Sequence, residues 1–390
     1  MSSNISHRDI QQTTLYLGQC PMSTRHGEFE VHFFRDLAHD RVAMAIACGD
    51  LQGSAPLLVR VHSSCLTSEC LSGLDCDCAE QQGGALAMMA REGEGVLFYL
   101  MQEGRGAGLT AKARDRMIVQ ASENRKTTFE AYSEMGLPAD LRRYGILAPM
   151  SRLLGLRAPL RLLTNNPDKA AAVSKAFADE EIDVCRMERI IGPTSPFNSD
   201  YLAAKHDSGH ALTRPSRMLS AKPPVDVRVV APFALPGGRH RVLTASYFLP
   251  IALPSESASD QGIEWFRLNV LFDGERAQEL VVLAHRDSNF SDVDAPFSGA
   301  DVEAETRETQ RGSEAITMSL LDRLPSPDAV GRAALREALM TIRRAGHGSV
   351  VVSFDDRDCA TAGAPWPIGS NAEQRTEETS RKSPGDRAED

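Results

Sequence analysis

Long apolar runs are missing from this 390-residue chain. A helix needs about 20 consecutive apolar residues to span a bilayer, and no segment offers them. The start, MSSNISHRDIQQTT, is polar and lacks the apolar centre of a secretory signal. Basic residues are short as well: 43 Lys and Arg stand against 53 Asp and Glu, for a formal net charge of −10. A general nucleic-acid binder carries the opposite balance, although a local basic pocket for one nucleotide remains compatible. The expectation is a cytoplasmic protein with neither nucleic acid nor membrane as a partner.

Cysteine is sparse except in one place. Of the eight, Cys65, Cys70, Cys76 and Cys78 crowd into one short segment. Such crowding, in a chain without a secretion signal, favours a metal site over a disulfide framework. Cys65, Cys76 and Cys78 offer three thiolates at the end of a strand and in the loop after it. Three protein ligands leave a fourth tetrahedral position open, the arrangement of a catalytic zinc, where bound water ionises near pH 7, roughly. Cys70 lies inside the same loop and is the alternative fourth ligand, which would make the site closed and structural.

The segments LLVRVHS (57–63), GVLFYLM (95–101) and LRLLTNN (160–166) read as strands, and Leu86, Met89 and Ala90 repeat at helical spacing between the first two. Strands separated by helices predict an α/β fold with a partly parallel mixed sheet. Pro167 after Asn166 suits the first turn of a helix running to about Ala178. The expected organisation is a flexible start (1–25), a catalytic domain (26–210), a proline-bearing linker (211–225), a second domain (226–364) and a disordered tail (365–390). Residues 254–263 and 288–313 read as surface loops.

The second domain echoes the first in pattern. GGRHRVLTASYFLP (237–250) lies over HGEFEVHFFRDLA (26–38), ELVVLAHRDS (279–288) over PLLVRVHSSC (56–65), and ALMTIRRAGHGSVVVSF (338–354) over ALAMMAREGEGVLFYLM (85–101). This alignment matches His285 to His62, Leu283 to Arg60 and Asp358 to Arg105, with an insertion where the first copy has its cysteines. It describes either a degenerate second copy of the same fold or a chance likeness of two β/α segments.

Four motifs stand in order: VRVHSSCL with LDCDCAEQ, GVLFYLMQEGRGAGL, ADLRRYG, and RLLTNNP. NSDYLAAKHDSGH (198–210) follows them. Together these resemble GTP cyclohydrolase II over about residues 26–210. The resemblance implies a hydrolase that opens the guanine imidazole ring of GTP at C8, releasing formate and pyrophosphate, in riboflavin-like or natural-product biosynthesis. It implies zinc on Cys65, Cys76 and Cys78, with Mg2+ accompanying the triphosphate. It places GTP on Arg60, Val61, His62, Ser63, Ser64, Gln81, Glu103, Gly104, Arg105, Thr128, Thr164 and Lys169. Within that set, the Arg60 fork suits a phosphate oxygen, Glu103 suits the guanine N–H edge, and Lys169 near a helix start suits phosphate. Asp140 matches the family's proposed proton acceptor. Arg142 matches its arginine nucleophile, for which stabilisation of transition-state charge is the simpler role. A homodimer is one option the sequence leaves open.

The chain departs from that family's pattern. Ser64 stands where glutamate is usual, Asp75 where arginine is usual, and Tyr132 where asparagine is frequent. Arg116 occupies the position of a catalytic tyrosine. An arginine is a permanent donor and cannot act as a neutral phenol does. Two consequences follow: turnover could stop at a formamido intermediate, or the chain could be a GTP-binding regulator or scaffold. Retention of the three cysteines with Asp140 and Arg142 favours turnover.

Overall fold

The structure, a computed structural model, describes residues 14–215, 220–235, 240–255, 262–288, 313–326 and 329–354. Its architecture is mixed α/β, with two mixed sheets. The first sheet holds β1 (Thr14–Thr24), β2 (Gly27–Asp36), β3 (Arg41–Cys48), β4 (Leu57–Ser63), β5 (Gly95–Leu100), β6 (Leu160–Leu163) and β7 (Val184–Glu188). Their spatial order is β1-β2-β3-β5-β4-β6-β7. The first three form an antiparallel meander, and β5, β4, β6 and β7 run parallel to one another. Almost every residue of β4 and β5 is buried, as expected of central parallel strands covered on both faces. The polar start was expected to be flexible through residue 25. Instead, from Thr14 onward it pairs along β2 as an edge strand.

The helices that carry the site join these strands. They are α1 (Leu66–Glu69), α2 (Cys78–Glu92), α3 (Leu109–Ala121), α4 (Thr128–Glu134), α5 (Leu147–Leu154), α6 (Pro167–Ala178) and α7 (Ser199–Asp207). Asn166 caps α6 by accepting from the Asp168 and Lys169 N–H groups, and Pro167 fills the first turn as anticipated.

The second sheet holds β8 (Phe233–Ala234), β9 (Arg241–Ala252), β10 (Ile263–Asp273), β11 (Gln278–His285), β12 (Ser313–Met318) and β13 (Ser349–Phe354), with α8 (Val330–Ala345) preceding β13. Its order, β12-β13-β11-β10-β9-β8, repeats β4-β5-β3-β2-β1 of the first sheet, strand directions included, with β8 added at the edge. Even the register break recurs: Leu17 is skipped between Tyr16 and Gly18 in β1, and Thr244 between Leu243 and Ala245 in β9. Bulges are built-in features of a strand, so a shared one is a strong mark of correspondence.

This geometry corrects the sequence alignment in two of its three parts. The match of 338–354 to 85–101 holds, and Gly346 and Gly93 both end their helices in the left-handed region (φ 71° and 81°). However, β9 takes the place of β1 rather than β2, and β11 takes the place of β3 rather than β4. Pairing therefore gives His285 the position that Cys48 holds in the first sheet, since His285 N–H meets Gly348 where Cys48 pairs with Gly95. The counterpart of β4 is β12, which puts Glu314 at the position of Arg60 and Ser319 at that of Cys65. The extra residues precede β10 and β12 and do not fall at the cysteine loop. Asp358, the tail and most of the two polar loops lie outside the described residues.

The second sheet shares a core with helices and the cysteine loop of the first half, while the strands of the first sheet belong to a separate core. Leu66, Cys70, Leu71, Leu109, Ala113 and Met117 of the first half pack with Tyr247, Leu249, Phe266, Leu268, Leu283 and Leu339 of the second. In α8, Leu335, Ala338, Leu339 and Ile342 supply one apolar stripe to that core. Polar contacts fix the seating of α3 on β9. Arg114 donates to the Thr244 carbonyl (2.8 Å), and the Gln120 amide exchanges hydrogen bonds with both backbone groups of Phe248 (2.7 and 2.9 Å). Among the described residues, no helix is long and apolar enough to cross a membrane.

Candidate active site

The end of β4 and the start of α2 bring the cysteines together. Cys65 caps α1 just past β4, Cys78 opens α2, and Cys76 sits two residues before it. Their sulfurs all lie within 4.8 Å of one another, with Cys65 and Cys76 at 3.6 Å. Hydrogen bonds from Cys65 and Cys78 hold the Cys76 thiol well below its ordinary range. Cys70 does not join them. Its thiol points the other way, toward the Asp322 carbonyl (3.8 Å), and burial pushes its pKa up. The fourth-ligand alternative for Cys70 is thereby removed.

Lys112, on α3, had no assigned role in the sequence and proves central. Its ammonium donates to Cys65 Sγ (3.0 Å) and to Glu103 Oε1 (2.9 Å). Burial alone would lower its pKa; the Cys65 thiolate and the Glu103 carboxylate outweigh burial and raise it well above the usual lysine value. Glu103 also accepts from Leu66 N–H (2.6 Å) and Gly104 N–H (3.2 Å). Both of its oxygens are therefore engaged within the protein.

The turn after β5 is tight. Arg105 adopts a left-handed conformation (φ 55°, ψ 31°), unusual for a side-chain-bearing residue. At Gly106, also left-handed, a Cβ would stand 2.8 Å from the Leu141 backbone, so only glycine lets the ADLRRYG segment approach. Arg105 lies over the Phe129 ring (4.2 Å), and Tyr132 donates to the Gly104 carbonyl (2.7 Å).

Two adjoining cavities open here and share Ser63, Cys78, Arg105, Arg142 and Tyr201. The metal-side cavity is lined by the cysteines, Ser64, Glu103, Gly104, Lys112, Asp115, Arg116, Thr128 and Tyr132. The second is cationic: Arg60, Arg105, Arg142, Lys169 and Lys205 surround it, with His62, Gln81, Asp140, Thr164 and His210. Every site residue expected from the sequence lines one cavity or the other except Val61, whose side chain is core and whose carbonyl accepts from Lys169 Nζ (2.6 Å).

Within the cationic cavity the side chains position one another. Arg60 donates to the Leu163 carbonyl (2.8 Å) and to Gln81 Oε1 (2.6 Å). Gln81 donates to Asp77 (2.6 Å), and Asp77 accepts from Lys205 (2.8 Å). Burial pulls the Arg60 guanidinium down to about 10. Burial also drives Lys169 well below its usual value, and Arg142 and Arg60 push it further the same way. His210 falls to about 4 from burial and then from Lys205, Arg105 and Arg142. Unbalanced cations in a cleft are what a polyanion would neutralise. Arg142 Nε donates to both Asp140 oxygens (2.9 and 3.0 Å), which fixes the guanidinium at the junction of the cavities.

His62 is tied elsewhere: its Nε2 lies 2.7 Å from Glu69, which also accepts from Tyr99. Tyr201, Lys205 and His210 were missed as site residues although they sit in the NSDYLAAKHDSGH motif. That motif was the signal; α7 folding back over the cysteine loop is what makes it count.

The family model for GTP cyclohydrolase II matches residues 16–182. GTP cyclohydrolase-2 of Hahella chejuensis is 37% identical over 199 residues, covering 51% of this chain and 92% of that protein. The enzymes of that name from Pseudomonas putida and Teredinibacter turnerae are 39% and 38% identical, with 93% and 96% of their lengths covered. A solved RibBX, a two-domain 3,4-dihydroxy-2-butanone 4-phosphate synthase from A. baumannii, aligns at 17% identity over 47% of this chain and 41% of that one. Its TM-score is 0.25, a likeness too slight to carry weight. The three thiols, the cationic cleft and the long alignments agree: this chain belongs to the GTP cyclohydrolase II family and is a hydrolase of that type.

Proposed function

We propose that the chain hydrolyses GTP, opening the guanine imidazole ring at C8 and releasing pyrophosphate and formate to leave a diaminopyrimidinone ribosylamine phosphate. The observation that carries this reading is Cys78, which belongs to the three-sulfur cluster and also lines the cavity ringed by arginine and lysine. A purine at the sulfurs thus has its phosphates directed into the cations.

The donor set fits zinc: three sulfurs, those of Cys65 and Cys76 buried and that of Cys78 half-buried, lie within 4.8 Å of one another beside a cavity, and a lysine offsets their charge. When bound there, zinc supplies Lewis acidity and activates water. The protein's own groups account for the rest. Lys169 and Arg60 hold phosphate oxygens, and Mg2+ enters with the triphosphate. Arg142, fixed by Asp140, stabilises the charge that builds as the α–β anhydride is hydrolysed. Hydrolysis of both ring bonds to C8 releases that carbon as formate. The second half, which lacks thiols at the cysteine positions, serves as an internal partner that seats α3 and thereby Lys112.

One specific observation favours a shorter reaction. Arg116 is locked to Asp75 and presents no phenol. On that reading the product keeps the formyl carbon. Incubating the zinc-loaded chain with GTP and Mg2+, and following pyrophosphate, formate and product mass, separates the two. GTP bound without any product would overturn both.

A further inference from the structure

Asp115 lies on α3 three residues beyond Lys112, whose ammonium touches Cys65. It is 3% exposed and lines the metal-side cavity. Its Oδ2 accepts from the Thr128 hydroxyl at 2.7 Å. Its Oδ1 is buried and has no hydrogen-bond partner among the described residues. A buried acceptor left unmade is costly, more so when charged, and native folds keep few of them without a use. Glu103, which the family resemblance marks for the guanine edge, is in the opposite condition, with both oxygens already taken.

We infer that Asp115 is the residue that determines base specificity, its unpartnered oxygen accepting from the 2-amino group of a guanine whose C8 faces the cysteines. This rests on the reading of the site proposed above. Asp115 and the three cysteines line the same cavity, so one bound base can meet the carboxylate at one end and the sulfurs at the other. Thr128 fixes the carboxylate rotamer, so the acceptor is in place before the ligand arrives. Burial raises the Asp115 carboxyl against the opposing pull of Arg116 and Thr128, and an N–H donor from a base favours its charged form.

Asp115→Asn keeps the shape and an oxygen for Thr128 but exchanges an acceptor for a donor. Guanosine and xanthosine 5′-(α,β-methylene)triphosphates are titrated calorimetrically into the zinc-loaded full chain, with zinc content and thermal unfolding followed in parallel. The native chain should prefer guanine. In D115N, guanine affinity should fall about tenfold to a hundredfold while xanthine affinity rises, so that the preference reverses. A gain for xanthine cannot come from misfolding. An unchanged preference in D115N overturns the assignment and leaves GTP as substrate. Failure of the native chain to bind the guanosine analogue sinks the functional reading itself. If D115N loses zinc, the native chain still decides the matter: the inosine analogue, lacking the 2-amino group, must bind at least about tenfold more weakly, and equal binding overturns the assignment.

Discussion

Arg116 Nε lies 3.1 Å from Asp75 Oδ2, with both side chains almost buried, and the guanidinium stands 4.5 Å from the centre of the Tyr201 ring. The family pattern leads one to expect tyrosine at the first position and arginine at the second. The two departures are one rearrangement, in which the positive charge has moved from the cysteine loop to α3 and the loop carries its partner. Burial alone would weaken the Arg116 charge; Asp75 and then Asp115 more than offset this. Arg116→Tyr by itself should strand Asp75 and destabilise the chain by about 3–5 kcal/mol. Adding Asp75→Asn should recover most of that loss. Chemical denaturation of the single and double variants measures both; equal stability of the single variant and the native chain would show the pair to be incidental.

Cys76→Ala removes the sulfur that makes hydrogen bonds with both other thiols. Metal analysis should find zinc reduced toward zero, and formate and pyrophosphate release should stop together. Continued turnover in a metal-free sample would rule out the zinc chemistry.

Lys169 is held against the Val61 carbonyl in the cationic cavity, and burial and neighbouring arginines work against its charge. A bound polyphosphate relieves that conflict. Lys169→Met should weaken a non-hydrolysable GTP analogue by roughly tenfold to a hundredfold and leave guanosine binding nearly unchanged. Calorimetry on both ligands checks this; equal losses for the two would place Lys169 at the base instead.

His210 has a folded pKa of about 4 against an ordinary 6.5. Between those values the unfolded chain binds more protons, so stability rises with pH across the window. The contribution is complete above about pH 6.5 and is lost as pH falls toward 4. His210→Gln should flatten part of that acid-side decline in thermal midpoint. A variant with the native acid profile would assign the decline to other groups.

The second half covers Leu109, Ala113 and Met117 of α3, the helix that also carries Lys112 and Asp115. A 1–223 fragment should therefore expose apolar surface, bind a hydrophobic dye and load zinc poorly. A fully active, stable fragment would show that the second half does not support the site.

How far the sequence could be read depended on the range of each interaction. The α6 cap was legible because Asn166 and Pro167 act on their own next turn. The cysteine cluster was legible because its ligands lie within one loop. The repeat was visible where a helix end and strand start share Gly93 and Gly346. It was misregistered where apolar strands look alike, since β3 and β4 offer similar side chains and only pairing tells them apart. Lys112 and Asp115 went unassigned because a lysine and an aspartate on a helix usually face solvent, and only the docking of α3 against β9 turns them inward.

Residue chemistry over short spans determined by itself that three thiols would meet, that a glycine-rich turn bearing Arg105 would follow β5, and that the fold would alternate strands with helices. Which carboxylate keeps an unused oxygen, which arginine is tied to which aspartate, and that Cys70 faces away from the sulfurs were decided only by packing. Those facts depend on contacts between segments far apart in the chain, where burial and distance, not local preference, set which groups remain charged and which remain unpaired.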